Sequence, residues 1–135
     1  MILPGRTHNK KVEEVKRILL DLNLPVLPLN VVKSGFYIPD IITRINTRFI
    51  PMDFINSRER VSFDIGGLCL LYNKDIVDFC LAVIDDKLWN DYLHDFRKAK
   101  LNLPSKLTMI PMKEVREFFA NLTNLHFTGL SLYQS

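Results

Sequence analysis

Two apolar segments separated by only two residues constrain the fold of this chain more than any other feature. The first spans residues 36–45 (FYIPDIITRI) and the second spans residues 48–56 (RFIPMDFIN). Both are rich in β-branched and aromatic residues, which favour strands. The intervening Asn46-Thr47 has the length of a tight hairpin loop, although Asn-Gly is the more typical sequence. We therefore predict an antiparallel β-hairpin whose strands are apolar on both faces, as is usual in a sheet covered by helices.

The register of this hairpin predicts that two carboxyl groups lie opposite each other. With Asn46 and Thr47 in the loop, the numbers of cross-strand partners add up to 93, so Asp40 faces Asp53. Directly opposed residues have Cβ atoms about 4.5–5.5 Å apart. Their neighbours on that face are isoleucines, and like charges in apolar surroundings require a proton on one carboxyl group or a bound cation. Mg²⁺ is held in this way by one or two carboxylates together with water and substrate phosphates.

Two other arrangements are compatible with the same residues. A β-bulge at Pro39 or Pro51 would shift the register and separate the two acidic side chains. Aspartates near the ends of strands also commonly point into solvent, where they need no counter-ion. The hairpin thus predicts a metal site on condition that its register is regular.

The remaining segments predict one α/β (α+β) domain with a central mixed β-sheet flanked by helices. Residues 62–73 suit either a helix or a strand, because Ser62 is a good helix N-cap but Gly66-Gly67 disfavours a helix. Elsewhere the apolar spacing predicts helices over 9–23, 87–100 and 112–122 and strands over 26–32, 76–84 and 107–111. The core of this domain is expected to span about 9–122, with a C-terminal tail over 123–135.

Length and composition exclude several classes of protein. A chain of 135 residues with 47% hydrophobic and 24% charged residues is typical of one folded domain, not of a disordered segment. No apolar run approaches the roughly 20 residues of a membrane span, and the N-terminal residues do not resemble a secretory signal. The two cysteines, Cys69 and Cys80, lack metal-binding spacing and are interpreted as buried thiols of a cytoplasmic (intracellular) protein.

The first predicted helix offers a third acidic residue. Glu14 lies at the border of the apolar stripe of this helix, whereas Glu13 points almost to the opposite side. Glu14 is therefore better placed to reach the sheet. In the alternative interpretation, both glutamates are solvated and pair with nearby basic residues. His8 would extend the apolar stripe by one turn, and an ordinary packed histidine is the simpler interpretation of it.

Together these motifs resemble the PD-(D/E)XK nuclease superfamily, and most of all the small archaeal Holliday-junction resolvases. Those proteins have a helix carrying Glu, then three strands, with Pro-Asp on the second strand and (Asp/Glu)-x-Lys on the third. This chain has Glu13-Glu14, Pro39-Asp40 and Asp53-Phe54-Ile55 at the corresponding places. The resemblance implies a restriction-endonuclease-like α-β-β-β-α-β core.

The resemblance also implies a set of site residues. Asp40 and Asp53 would bind Mg²⁺ or Mn²⁺, and Glu14 would join them as a third catalytic residue. The third motif departs from the family, because Ile55 occupies the position of a lysine that activates water or stabilises the phosphate. Isoleucine brings neither charge nor hydrogen-bond donor. Conceivable replacements are Lys33, Arg44 and Arg58. Hydrolysis of phosphodiesters would then be weakened or lost.

The implied partners are DNA, branched or duplex, and a second copy of the chain. The first 60 residues carry ten Lys/Arg and six Asp/Glu, within an overall net charge of +3. Such a basic region is compatible with contacts to phosphates. The candidate DNA contacts are Arg6, Lys10, Lys11, Lys33 and Arg58, and Arg60 is a further basic residue that follows the predicted site. A homodimer would use the apolar segments 76–84 or 125–133, which are otherwise core.

Three functions therefore compete at this stage. The first is a metal-dependent nuclease, and the second is a DNA-binding protein of the same fold without chemistry. The third is a structural, dimeric interaction protein. Metal-dependent cleavage distinguishes the first, and salt-sensitive DNA binding without cleavage distinguishes the second.

Overall fold

Four strands and five α-helices build the part of the chain that the computed structural model describes. It describes the backbone of residues 4–32 and 37–134 and the side chains of residues 7–32 and 37–124. The elements are α1 (Pro4–Asp21), β1 (Ile41–Ile45), β2 (Arg48–Ile55), α2 (Arg58–Tyr72), β3 (Cys80–Ile84), α3 (Asp86–Asp91), α4 (Leu93–Leu101), β4 (Leu107–Pro111) and α5 (Val115–Gln134), with a 3-10 turn over Met112–Glu114 before α5. Among the predicted DNA contacts, Lys33 and the side chain of Arg6 lie outside these described residues.

The strands form one mixed sheet in the order β1-β2-β3-β4. β1 pairs with β2 antiparallel, and β2, β3 and β4 run parallel to one another. The predicted hairpin register is confirmed, since Ile41 pairs with Met52 and Ile45 with Arg48. Asn46 in the loop has φ of 57°, a left-handed conformation that asparagine tolerates better than most residues.

Helices cover both faces of the sheet, which confirms the α/β fold class. α1 and α5 pack on one face, and α2, α3 and α4 pack on the other. The first core includes Val15, Leu19, Met52, Phe54 and Phe119. The second core includes Ile42, Ile55, Leu68, Leu71 and Trp89. Successive residues of β1 and β2 alternate between the two cores, so both faces of the hairpin are buried.

The predicted strand over residues 26–32 is wrong. This segment makes one backbone hydrogen bond to the sheet, from the Leu27 N–H to the Ile42 carbonyl oxygen at 2.9 Å. Pro25 and Pro28 have no N–H to donate, which interrupts a ladder along the edge of β1. The described chain therefore follows the order α-β-β-α-β, without the additional strand of the expected α-β-β-β-α-β core.

Helix boundaries also differ from those predicted. The ambiguous segment 62–73 is helical and belongs to α2. The single helix predicted over 87–100 is divided into α3 and α4, because Tyr92 leaves the helical conformation at φ −125° and ψ 38°. The tail continues α5 through Gln134. Among the described residues, no helix has the length and apolarity that crossing a membrane requires.

The two segments predicted to form a dimer contact differ in what the structure shows of them. Cys80–Ile84 of segment 76–84 is the buried strand β3, so this segment belongs largely to the core. The side chains of 125–133 lie outside the described residues. Both cysteines are free thiols, as predicted, with Cys80 buried and Cys69 partly buried.

Candidate functional site

The candidate site lies where the hydrogen-bond ladder of the β1–β2 hairpin ends. Ile41 and Met52 form the last regular pair of the ladder. At the next position of each strand, the side chains of the aspartates accept the hydrogen bonds. The Asp40 N–H donates to Asp53 Oδ1 at 2.9 Å, and the Phe54 N–H donates to Asp40 Oδ2 at 2.9 Å. The structure thus brings the two predicted aspartates together, without a bulge between them.

A cleft of about 500 Å³ opens above these two carboxyl groups. α1 contributes His8 to its wall, the segment before β1 contributes Tyr37, and α2 contributes Arg60 and Asp64. The floor is the end of β2, on the face of the sheet that α2 covers. The cleft therefore lies at the carboxyl end of β2, which pairs parallel with β3, and the carboxyl ends of parallel strands are where α/β folds commonly bind ligands.

His8 occupies the place that was predicted for Glu14. Its Nε2 lies 3.0 Å from Asp40 Oδ2 and 3.0 Å from the Phe54 carbonyl oxygen. Both partners are acceptors, so Nε2 carries a hydrogen. Glu14 instead pairs with Lys11 at 3.5 Å, outside the cleft. The signal for His8 was its position four residues before the buried Val12, on the same helical stripe.

Glu13 and the predicted basic residues of α1 also lie away from the two aspartates. Glu13 pairs with Lys16 at 3.1 Å, as the solvated alternative predicted. Lys10 is exposed on α1, and Lys11 is engaged by Glu14. These lysines form a basic surface of α1, but they do not line the cleft.

Burial dominates the electrostatics of Asp53. The residue is 3% exposed, and its desolvation is the main reason that the pKa of the carboxyl group is raised from 3.8 to about 7. In that net value the Asp40 N–H lowers the pKa, the negative charge of Asp64 raises it, and His8 and Arg60 lower it by smaller amounts. Without a cation, Asp53 therefore exchanges a proton near neutral pH.

Tyr37, which precedes β1 in the chain, covers the carboxyl group of Asp53. Its hydroxyl donates to Asp53 Oδ2 and lies 3.3 Å from the Asp64 carbonyl oxygen. The ring rests on Gly67 of α2 and fills the space that a Cβ there would need. Gly67 disfavoured a helix in the sequence analysis, yet its lack of a Cβ leaves the space that the Tyr37 ring occupies.

Sequence reasoning missed Asp64 as a site residue and considered Arg60 only as a basic residue that follows the predicted site. Burial raises the pKa of the Asp64 carboxyl group, the nearby Arg60 lowers it, and the charge of Asp40 raises it. The Arg60 guanidinium lies 3.4 Å from Asp64 Oδ1, one helical turn away. Arg60 is the one Lys or Arg that lines the cleft among the described residues. Their i, i+4 spacing was visible, but it carried meaning only once α2 was known to be a helix.

Two of the residues considered as replacements for the missing lysine, Arg44 and Arg58, lie elsewhere, and the third, Lys33, falls outside the described residues. Ile55 itself is buried in the core between the sheet and α2. Arg44 is exposed near the turn end of β1. Arg58 stacks on the ring of Tyr92, with its Cζ 4.3 Å from the ring centre, and lines a second cleft. Neither arginine lines the carboxylate cleft, so Arg60 is its cation within the described part of the chain.

The carboxyl groups suit a cation that keeps water and substrate ligands. Asp40 Oδ1 has no hydrogen-bond partner among the described residues, and each Asp53 oxygen accepts one hydrogen bond, so lone pairs remain on both groups. No three His, Cys, Asp or Glu residues of the described part are arranged to hold a metal ion by themselves. Asp40 and Asp53 are the residues that could hold a cation such as Mg²⁺, with water and substrate oxygens as its other ligands.

Comparisons of the chain with protein-family models, curated proteins and solved structures find no match. The fold and the site nevertheless define a class, an α/β domain with buried carboxyl groups at the carboxyl end of its central strands. The function has to be argued from those groups.

Proposed function

We propose that the carboxylate cleft is the active site of a metal-dependent nuclease that hydrolyses phosphodiester bonds in DNA. The observation that carries this proposal is the pair Asp40 and Asp53 at the floor of an open cleft, where the Asp40 N–H donates to Asp53 and the Phe54 N–H donates to Asp40. The resemblance of their motifs to the PD-(D/E)XK nucleases supports the choice of reaction. The similarity to Holliday-junction resolvases makes branched DNA the first substrate to test.

The charges in the cleft support a requirement for a cation. Three carboxyl groups, Asp40, Asp53 and Asp64, face one arginine and one histidine. A phosphate that entered this cleft would meet net negative charge, which a bound Mg²⁺ or Mn²⁺ would offset. Binding of DNA in the cleft is therefore expected to depend on the metal.

Each residue of the cleft has a role in this proposal. Asp40 and Asp53 would hold the cation, which when bound supplies an activated water and offsets the charge on the phosphate. His8 holds Asp40 in position through its Nε2–H, and Tyr37 does the same for Asp53 through its hydroxyl. Arg60 is placed to bind phosphate oxygens, the function that Ile55 cannot perform.

Asp53→Asn tests the proposal. The amide oxygen can still accept from the Asp40 N–H and the amide nitrogen can donate to Tyr37, so the fold should persist while the anionic ligand is lost. Nicking of labelled four-way junction and matched duplex DNA is measured with EDTA, Mg²⁺ and Mn²⁺. We expect metal-dependent nicking by wild type and none by the variant, with the exposed Asp95→Asn as control. Undiminished nicking by Asp53→Asn, or nicking by wild type in EDTA, would contradict the assignment.

A second candidate function is DNA binding without hydrolysis, and the buried Ile55 favours it. In this case the surface lysines Lys10 and Lys11 and Arg58 would contact phosphates. Binding would weaken steeply with salt, because released counter-ions drive it, and would not need a metal. The same gel-shift series separates the two functions: a shift in EDTA without nicking supports binding alone.

A homodimer belongs to the same proposal, because a four-way junction presents two symmetric sites. The resemblance and the frequency of two-fold dimers support it. Sedimentation of the chain alone and with junction DNA tests it, and a monomer in both conditions would remove this part of the proposal.

A further inference from the structure

An exposed aromatic ring stands on the rim of the carboxylate cleft. Phe63, in the second turn of α2, lines the cleft and keeps 61% of its surface exposed. The Arg60 Cζ lies 4.6 Å from the centre of its ring, and the ring of Tyr37 lies 6.2 Å away at 54°. Ile38 is also exposed on this rim. The aromatic ring is thus not used by the core, although it lies beside the groups that would bind a phosphate.

The surroundings of Phe63 suit an unpaired nucleobase. A flat apolar ring stacks on a base, and a neighbouring guanidinium binds the phosphate of the same strand; this combination is typical of proteins that bind single strands. In a duplex, the faces of the bases are already stacked on one another and are not available to a side chain. An exposed ring at the cleft therefore gains contact energy from unpaired nucleotides only.

We propose that Phe63 and Arg60 form a platform for an unpaired nucleotide next to the bond to be cleaved, so that the substrate is single-stranded or locally unpaired DNA. This inference rests on the proposed nuclease function and specifies its substrate. A strand whose phosphate lies above Asp40 and Asp53 would place a base on Phe63, and Arg60 would neutralise the adjacent phosphate.

The test compares Phe63→Ala with two matched variants. Phe63→Trp keeps a flat ring, and Leu70→Ala removes an equally exposed apolar side chain from the same helix outside the cleft. Affinity is measured in the presence of Mg²⁺ for labelled oligothymidylate and for a blunt hairpin duplex, together with cleavage of both. A strand containing 2-aminopurine reports stacking through its fluorescence.

We expect wild type to prefer the single strand and Phe63→Ala to bind it about 5- to 100-fold more weakly, with little change on the duplex. Phe63→Trp should retain the preference, and Leu70→Ala should behave as wild type. Metal-dependent cleavage without a single-strand preference, or equal losses in Phe63→Ala and Leu70→Ala, would overturn the inference and leave the nuclease proposal intact. If wild type cleaves neither of these DNAs nor the four-way junction, but Phe63→Ala alone among the variants loses single-strand binding, the nuclease proposal fails and the stacking platform stands. Absence of binding to the single strand, the duplex and the junction would overturn both.

Discussion

The first turns of α2 carry an arginine stacked on an aromatic ring on each of two sides, but the surroundings of the two pairs differ. On one side Arg60 stacks on Phe63, and on the other side Arg58 stacks on Tyr92. The side of Arg60 opens onto a cleft of about 500 Å³ that contains three aspartates. The side of Arg58 opens onto a cleft of about 300 Å³ whose lining is mostly apolar.

This difference shows that a cation stacked on an aromatic ring does not by itself indicate a functional site. Arg58 was a sequence candidate for DNA binding, yet its cleft offers no group of buried carboxyls. Arg60 was considered only as a further basic residue, but it lies next to Asp64 and lines the cleft that contains Asp53. Buried charge, not the stacking pair, distinguishes the two sides. The following variants test that distinction.

The largest effect is expected on the pH dependence of stability. Because burial raises the pKa of Asp53 to about 7, its proton stays bound in the folded chain while the unfolded chain has already released it. The metal-free fold should therefore lose stability as pH rises from about 4 to 7, by about 4 kcal/mol in total. Asp53→Asn removes this loss, so it should be as stable as wild type near pH 4 and more stable at pH 8.

Urea unfolding at a series of pH values measures this effect. Asp95→Asn, at the apolar cleft, is the matched control and should follow wild type. Mg²⁺ should restore much of the stability of wild type at pH 8 and should not affect Asp53→Asn. A constant difference between wild type and Asp53→Asn at all pH values would show that Asp53 is ionised in the fold throughout.

The next effect concerns the two arginines. Arg60→Ala should lower kcat/KM for DNA cleavage about 100-fold, since it removes the cation that faces the phosphate in the cleft. Arg58→Ala should stay within about two-fold of wild type, as for a surface substitution. Steady-state cleavage at fixed salt measures both, and Arg60→Lys should recover part of the rate. If Arg58→Ala were the more harmful variant, the active cleft would be on the other side of α2.

The smallest effect separates the adjacent glycines of α2. A Cβ at Gly67 would overlap the ring of Tyr37, whereas a Cβ at Gly66 would meet nothing within 4 Å. Gly66→Ala should stabilise the chain by about 1 kcal/mol through helix propensity. Gly67→Ala should destabilise it by about 1–3 kcal/mol, because the ring has to move away from Asp53.

Urea unfolding again measures these changes. A double variant, Gly67→Ala with Tyr37→Ala, supplies the control, because removing the ring should remove the cost of the added methyl group. Equal stabilisation by Gly66→Ala and Gly67→Ala would show that Tyr37 does not rest on Gly67.

The sequence was sufficient for the hairpin and for the meeting of its carboxyl groups. A two-residue loop leaves one regular register, and that register determines which side chains face each other. β4 was predicted over the same residues that form it, 107–111. The segment 26–32 failed for a physical reason, since its apolar character indicated a strand but Pro25 and Pro28 interrupt a ladder of hydrogen bonds. Only Val32 of this segment is buried, and Leu29 and Val31 are exposed, so apolar residues here did not indicate a strand within the sheet.

The other site residues depended on tertiary structure. His8 reaches Asp40 because α1 crosses the open end of the hairpin. No pattern in the local sequence predicts where α1 lies relative to the hairpin. Asp64 and Arg60 belong to a helix whose glycines argued against it. That helix forms because Leu68 and Leu71 are fully buried in the core and Gly67 makes room for Tyr37. Packing overrode propensity there, as it commonly does.

The hydrogen bonds that join Asp40 to Asp53 and to Phe54 have a consequence for the time course of folding. They join residues only 13 and 14 positions apart, whereas the parallel pairs β2–β3 and β3–β4 require long crossovers. Local contacts form early, so the two carboxyl groups meet while they are still hydrated. We expect these carboxyl groups to lose their water later, when α2 packs against the sheet. A proton or cation bound to this pair should therefore stabilise the folded domain mainly by lowering its unfolding rate.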